Sequence, residues 1–146
     1  MAELSQGVFP SPIDEPYADD VTQPFWDAAL EGRLLGWRCR GCATFVLPPA
    51  PRCFQCQQTE FSWVELPGTG SIYSFTVVRH ALGGYLQEVV PYVSAVVELD
   101  GTQGAGARMV ANVVDCDPDT VRIGTAVRVV FDRVSDSLAV PRFAPL

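Results

Sequence analysis

The sequence contains no lysine: all ten basic residues are arginine, set against 17 acidic residues, and the formal net charge is -7. Nucleic-acid affinity rests mainly on basic side chains that neutralise phosphates, and attraction to anionic membranes has the same origin. A chain of this composition is a poor candidate for either role. We therefore expect neither a nucleic-acid nor a membrane partner.

Segments that direct a chain to or across a membrane are also missing. The opening stretch MAELSQGVFPSPIDEP has no basic start followed by an apolar run, which a secretory signal requires. No apolar run approaches the roughly 20 residues of a membrane-spanning helix. This predicts a cytoplasmic protein, in which paired cysteines are more often metal ligands or catalytic groups than disulfides.

Histidine is nearly absent, since His80 is the only one. The sequence has no G-x-S-x-G nucleophile motif and no glycine-rich phosphate loop before a helix. Nucleophilic catalysis needs an activated group with a base in reach, so we predict no catalytic residue in this chain. The alternative, a self-contained enzyme that uses His80, predicts turnover by the purified chain and its loss in His80→Ala.

Cysteine is sparse but concentrated. Four of the five cysteines lie in CRGCATFVLPPAPRCFQC, residues 39–56, as two Cys-x-x-Cys pairs. Two such pairs can complete the tetrahedral shell of a zinc ion, and Gly41 offers permissive backbone inside the first pair. A thioredoxin-type dithiol would need one pair beside a βαβ pattern, which is absent. The predicted ligands of a structural metal are Cys39, Cys42, Cys53 and Cys56.

The spacing leaves zinc and iron as alternatives, because a four-thiolate iron site has the same ligands. We favour zinc, since nothing in the sequence indicates an electron-transfer partner. A site closed by four thiolates has no open position, so its metal would hold the fold. The fifth cysteine, Cys116, is interpreted as an ordinary packing residue at a strand end.

The remaining pattern predicts a mainly β chain in three parts. Residues 1–20 are proline-rich and acidic, which favours an extended arm. Residues 21–66 combine a helix over roughly 23–32, with Thr22 as N-cap, and the cysteine segment between two strands. Residues 67–146 contain five β-branched or aromatic runs, which favours a five-stranded OB-fold barrel, with a β-sandwich as the alternative.

One loop of the predicted barrel carries apolar residues on a glycine hinge. The segment HALGGYLQEVVPY follows the first barrel strand. Such residues either fold back into the core or contact a partner or ligand. His80, Tyr85 and Leu86 are therefore candidate contacts to substrate or partner.

The whole layout resembles a known family. The matching segments are PFWDAALEGRLLGWRC, the cysteine stretch, WVELPGTGSIYSFTVV, PYVSAVVELDG, ARMVANVVDCDPDTVRIGTAVRVVF and VPRF. They resemble the acyl-CoA-associated family (domain of unknown function family thirty-five), in which a rubredoxin-like zinc ribbon precedes an OB-fold and the protein accompanies a thiolase. The resemblance covers the chain from Gln23 onward and assigns the metal-ligand role to the four cysteines named above.

This resemblance implies an accessory subunit of a hetero-oligomer. Its thiolase-fold partner would supply the catalytic residues, and this chain would help to shape the acyl-CoA site. Retro-aldol cleavage of a steroid or lipid side-chain acyl-CoA is the first expected partner reaction, and a degradative thiolase or an acyltransferase is the alternative. An OB-fold nucleic-acid-binding module is an alternative of another class, which the acidic charge opposes.

Overall fold

The computed structural model describes residues 4–6, 16–102 and 106–146. Its elements, in chain order, are β1 (Leu4–Gln6), α1 (Gln23–Leu30), β2 (Leu35–Cys39), β3 (Phe61–Glu65), β4 (Thr69–Val78), a 3₁₀ turn (Gly84–Leu86), β5 (Tyr92–Leu99), β6 (Arg108–Val113), β7 (Ala126–Arg133) and β8 (Ala139–Pro145). Within these ranges, no helix has the length and apolar character needed to cross a bilayer. The predicted mainly β fold is confirmed. The predicted divisions after residues 20 and 66 stay predictions, and residues 1–3 and 7–15 of the predicted arm lie outside the described residues.

Helix α1 is bounded by local hydrogen bonds at both ends. At its start, the backbone N–H of Thr22 donates to Oδ1 of Asp19 at 2.8 Å. At its end, Gly32 has a φ of 75°, and the N–H groups of Gly32 and Arg33 donate to the carbonyls of Ala29 and Ala28. A glycine adopts this left-handed conformation without the cost that a Cβ imposes. The helix therefore ends at Leu30, two residues before the predicted end.

The cysteine segment is framed by a two-stranded antiparallel sheet. Strands β2 and β3 pair with Trp37 opposite Trp63. Leu34, Phe45 and Leu66 from this region are buried in the same cluster as the barrel residues. The helix contributes Ala29 to that cluster. Helix, ribbon and barrel thus share one hydrophobic core, which fixes the ribbon against the barrel wall.

The last five strands close into a barrel. Their order is β7-β4-β5-β6-β8, and β8 pairs again with β7 to complete the ring, while β1 adds to β7 in parallel. Burial alternates along β5, whose inward residues are Val93, Ala95, Val97 and Leu99, as expected for a strand with one face in the core. Gly70 lets β4 approach β5 closely, because a Cβ there would lie 2.3 Å from the carbonyl oxygen of Glu98.

A buried ion pair joins the last two strands. Asp132 on β7 is fully buried, and Nε and Nη2 of Arg142 on β8 each lie 3.4 Å from its Oδ2. Nη1 of Arg142 also donates to Oδ1 of Asn112 at 2.5 Å. Burial lowers the pKa of Arg142, and the charge of Asp132 opposes that shift. The two charges compensate each other at a site where Asp132 is fully buried and Arg142 is mostly buried.

Candidate metal centre and apolar cleft

The two Cys-x-x-Cys segments fold into matching knuckles. In the first, the N–H of Ala43 donates to the carbonyl of Cys39; in the second, the N–H of Gln57 donates to the carbonyl of Cys53, both at 3.0 Å. The residue after each second cysteine is left-handed, with φ of 62° at Ala43 and 64° at Gln57. The expectation that Gly41 supplies the permissive backbone is therefore wrong: the strained position follows each knuckle. Gly41 instead makes room, since a Cβ there would lie 2.7 Å from the Gln58 side chain.

The knuckles bring the four cysteine sulfurs together. All four Sγ atoms lie within 4.8 Å of one another; those of Cys39 and Cys56 are 3.5 Å apart and those of Cys42 and Cys53 are 3.6 Å apart. Four sulfurs about 2.3 Å from a tetrahedral zinc would be about 3.8 Å from one another. The donor set fits a zinc ion, and four thiolates leave no coordination position for a substrate.

The surroundings treat the four thiols unequally. Cys39 and Cys53 are buried, Cys56 is half-buried and Cys42 is exposed. Hydrogen bonds from Thr44 lower the pKa of Cys42 to about 6. The backbone N–H of Gln58 lowers the pKa of Cys56, but burial and the three neighbouring cysteines outweigh it and raise that pKa to about 12. Cysteines bind a metal ion as thiolates, so a cation at this site would offset the mutual repulsion that opposes their ionisation.

Cys116 lies outside the cluster of four cysteines. It is half-buried in the bend that follows β6, and burial, with the charges of Asp115 and Asp117, raises its pKa. A thiol whose pKa is raised is a poor nucleophile. This agrees with its interpretation as a packing residue.

The candidate contact residues lie on the loop between β4 and β5. His80 is exposed, Tyr85 and Leu86 belong to the 3₁₀ turn, and Tyr85 is 52% exposed. Leu82 is 91% exposed on the same loop. Leu86 is half-buried, and the role of the three residues as contacts stays a prediction.

Sequence reasoning missed an apolar cleft of about 590 Å³ between the helix, the ribbon and the barrel. We refer to it as the cleft. Its lining residues are Tyr17, Thr22, Phe25 and Trp26 from the helix region, Leu47, Pro48, Pro49 and Trp63 from the ribbon, and Val96, Arg108, Met109 and Val110 from the barrel. The signal in the sequence was a pair of valines at outward positions, Val96 on β5 and Val110 on β6. Valines in such strands are easily interpreted as core residues.

A row of aromatic rings connects the cleft to the cysteine knuckles. Trp26 meets Phe25 edge to face at 5.1 Å, and Phe25 lies 5.8 Å from Trp63. Trp63 lies 4.8 Å from Trp37, which stacks on Phe61 at 5.0 Å. Trp37 and Phe61 pack against the buried cysteines. This aromatic row makes one wall of the cleft continuous with the metal centre.

Comparisons with known proteins agree with this architecture. Residues 26–62 match the family model of the ChsH2 rubredoxin-like zinc ribbon domain, and residues 63–132 match that of the ChsH2 C-terminal OB-fold domain. A DUF35 domain-containing scaffold protein of Methanocaldococcus jannaschii is 38% identical over 104 residues, which are 70% of each chain. The chain belongs to the DUF35 family.

Two further proteins that are similar to this DUF35 chain are described as parts of enzymes. The chain resembles a solved structure described as "Ltp2-ChsH2(DUF35) aldolase", with a TM-score of 0.76 and 34% identity over 90% of this chain and 98% of that one. It is also 32% identical over 126 residues to the 3-oxo-4,17-pregnadiene-20-carboxyl-CoA hydratase alpha subunit of Mycobacterium tuberculosis. That match covers 84% of this chain but only 37% of the hydratase subunit. The DUF35 chain thus corresponds to little more than a third of that relative.

Proposed function

We propose that this DUF35 chain is a non-catalytic accessory subunit that docks on a thiolase-fold partner and helps to shape the partner's acyl-CoA site. The observation that carries the proposal is the similarity to the chain of the Ltp2-ChsH2(DUF35) aldolase, almost all of which this chain covers. Retro-aldol cleavage of a steroid or lipid side-chain acyl-CoA is the first candidate for the reaction of the complex. A degradative thiolase or an acyltransferase complex is the second.

The chemistry of the described residues agrees with a non-catalytic role for this chain. The single histidine is exposed, and the cysteines occur as a closed cluster and as one thiol of raised pKa. Retro-aldol cleavage requires a base that takes the proton of the β-hydroxyl group, and thiolytic cleavage requires an activated nucleophile with a base in reach. The partner therefore supplies the catalytic groups.

Cys39, Cys42, Cys53 and Cys56 hold one structural zinc in this proposal. The zinc would fix the ribbon against the barrel through the aromatic row. Because binding energy at such a site is folding energy, metal loss would disorder the ribbon and the surfaces built on it.

Charge limits what this chain does with coenzyme A. The ligand carries several phosphate charges, and the formal net charge of the chain is -7. The partner would therefore bind the phosphates. Calorimetry that shows tight binding of free coenzyme A to the isolated chain would refute this division of roles.

The decisive experiment is purification of the tagged chain from its native cells, followed by mass identification of partners. We expect a thiolase-fold protein at a fixed ratio. The purified complex should cleave a β-hydroxyacyl-CoA by a retro-aldol reaction without added coenzyme A, whereas thiolytic cleavage would consume coenzyme A and favour the second candidate. Turnover by the chain alone, or a partner without a thiolase fold, would contradict the proposal.

A further inference from the structure

The barrel side of the cleft is apolar where a barrel surface is normally polar. Val96 on β5 and Val110 on β6 face each other across the two strands, and both occupy positions that alternate with inward residues. Val110 is 72% exposed. The neighbouring outward residues of these strands include Ser94, Glu98 and Asn112. Outward positions of a half-buried strand usually favour water, so this valine pair indicates a surface that something apolar covers.

The opposite side of the cleft is built from aromatic rings. Phe25 lies edge to face on Trp26 and 5.8 Å from Trp63, which holds the three rings in fixed orientations. The indole N–H of Trp63 donates to the carbonyl of Val21 at 3.0 Å. Its polar atom is thereby satisfied, and what it offers the cleft is apolar ring surface.

The positive charge of Arg108 at the rim of the cleft is already paired with the carboxylate of Glu98. Arg108 is the only charged side chain among the cleft-lining residues in the described part of the chain. Its Nε donates to Oε2 of Glu98 at 3.1 Å, and its guanidinium carbon lies 3.7 Å from the ring centre of Tyr73. A bound anion would compete with Glu98 for the same cation in an acidic protein. The cleft therefore favours the uncharged part of a ligand.

The volume of the cleft favours a small molecule over a single protruding side chain as its occupant. At about 590 Å³, the cleft lies within the roughly 300–1,000 Å³ range of small-molecule sites. One side chain of a docking partner would leave most of that space unfilled. An uncharged ring system or acyl chain would fill it and contact both the valine pair and the aromatic rings.

We propose that the cleft binds an uncharged apolar body, the size of a fused ring system or a medium-length acyl chain. Binding itself does not depend on the proposed function. Only the source of the ligand does: in the complex, the body would be the acyl part of the thioester whose phosphates the partner holds. This site is distinct from the His80 loop, which joins the other ends of β4 and β5.

The test is calorimetric titration of the full chain, without a partner, with an uncharged steroid ketone and with decanol. Decanoate, which has the same chain length as decanol, serves as the charged probe. We expect saturable binding of at least one uncharged probe, and about tenfold or more weaker binding of decanoate than of decanol when decanol binds, because a buried charge without a partner is costly. The stronger of the two uncharged probes identifies the ligand as ring-like or chain-like.

A matched pair of variants assigns the binding to the cleft. Val110→Glu places a charge in the cleft. Ile123→Glu places the same charge on another exposed β-branched residue that does not line the cleft; Ile123 is 69% exposed and Val110 is 72% exposed. We expect Val110→Glu to weaken probe binding about tenfold or more and Ile123→Glu to leave it unchanged. Circular dichroism and metal content should be those of the original chain in both, since both positions are on the surface.

Two results would overturn the inference. One is that neither uncharged probe shows saturable binding to the original chain. This result would also overturn the inference if Val110→Glu prevented assembly with a protein partner, because the cleft would then be a protein contact. The other is probe binding that Val110→Glu leaves intact. Probe binding by a chain that recovers no thiolase-fold partner would instead leave this inference standing and remove the proposed function.

Discussion

The indole ring of Trp37 stacks on the ring of Phe61, with centroids 5.0 Å apart and 9° between the planes. Both rings pack against the buried thiols of the knuckles, and the indole N–H donates to the carbonyl of Ala50 at 3.3 Å. The stack therefore ties three neighbouring segments of the ribbon together. Its geometry depends on the knuckles and, through Trp63, reaches the cleft.

Metal removal should consequently be visible in tryptophan fluorescence. A chelator should shift the emission to longer wavelength, because an unfolded ribbon exposes Trp37 and Trp63 to water, and added zinc should reverse the shift. Trp37→Phe should show a smaller shift while it binds the same amount of metal. An emission spectrum that does not respond to complete loss of metal would contradict the link between the stack and the knuckles.

The ligand assignment predicts a sharp difference between two cysteine variants. Cys39→Ala should lose the metal and unfold the ribbon, since the metal supplies the folding energy of such modules. Cys116→Ala should keep one metal per chain, because that thiol lies outside the cluster. Elemental analysis of the purified proteins, with cobalt substitution to report thiolate coordination, measures both. Equal metal content in the two variants would remove the assignment.

The ion pair of the barrel predicts a large effect at a position remote from the metal. Arg142→Leu should lower the free energy of unfolding by about 3–5 kcal/mol, because it removes the cation that is paired with the buried carboxylate of Asp132. Arg128→Leu, at an exposed position of β7, should change it by less than about 0.5 kcal/mol. Urea denaturation monitored by circular dichroism measures both values.

A double variant separates charge from packing at the same site. Asp132→Asn in the Arg142→Leu background removes the carboxylate charge that Arg142 no longer balances, so it should recover part of the lost stability. If the double variant is less stable than Arg142→Leu, the loss comes from packing and not from the lost charge balance between Asp132 and Arg142.

The loop between β4 and β5 predicts a defect in assembly. If Tyr85 contacts the partner, Tyr85→Ala should weaken the complex by about 1–2 kcal/mol, which is roughly a 5- to 30-fold rise in Kd. Tyr73→Ala removes a ring of nearly equal exposure, 50% against 52%, from the barrel wall, and should have a smaller effect. Biolayer interferometry on the reconstituted complex gives both constants, and equal values would dismiss the loop as a contact.

The parts of this protein that the sequence predicted are those that local pattern determines. The spacing of Cys39, Cys42, Cys53 and Cys56 placed four sulfurs together, and the β-branched runs placed the five barrel strands. The backbone conformation of the knuckles could not be predicted in the same way. Ala43 and Gln57 adopt left-handed conformations, although alanine and glutamine do not favour them.

The cleft shows what local pattern cannot predict. Its walls come from three stretches that are far apart in the chain, at Phe25, Trp63 and Val110. Each apolar residue there is consistent with an ordinary core position when its own segment is considered alone. Only the packing of the ribbon on the outer face of the barrel gives these residues a common surface.

The parallel pairing of β1 with β7 has a consequence for the order in which the chain folds. It joins Leu4–Gln6 to Phe131–Arg133, so it closes a very long loop, and contacts of such sequence separation form late. During synthesis, the first of these segments leaves the ribosome long before the second has been made. After its own synthesis, β1 therefore has to wait until β7 has been made before it can join the sheet.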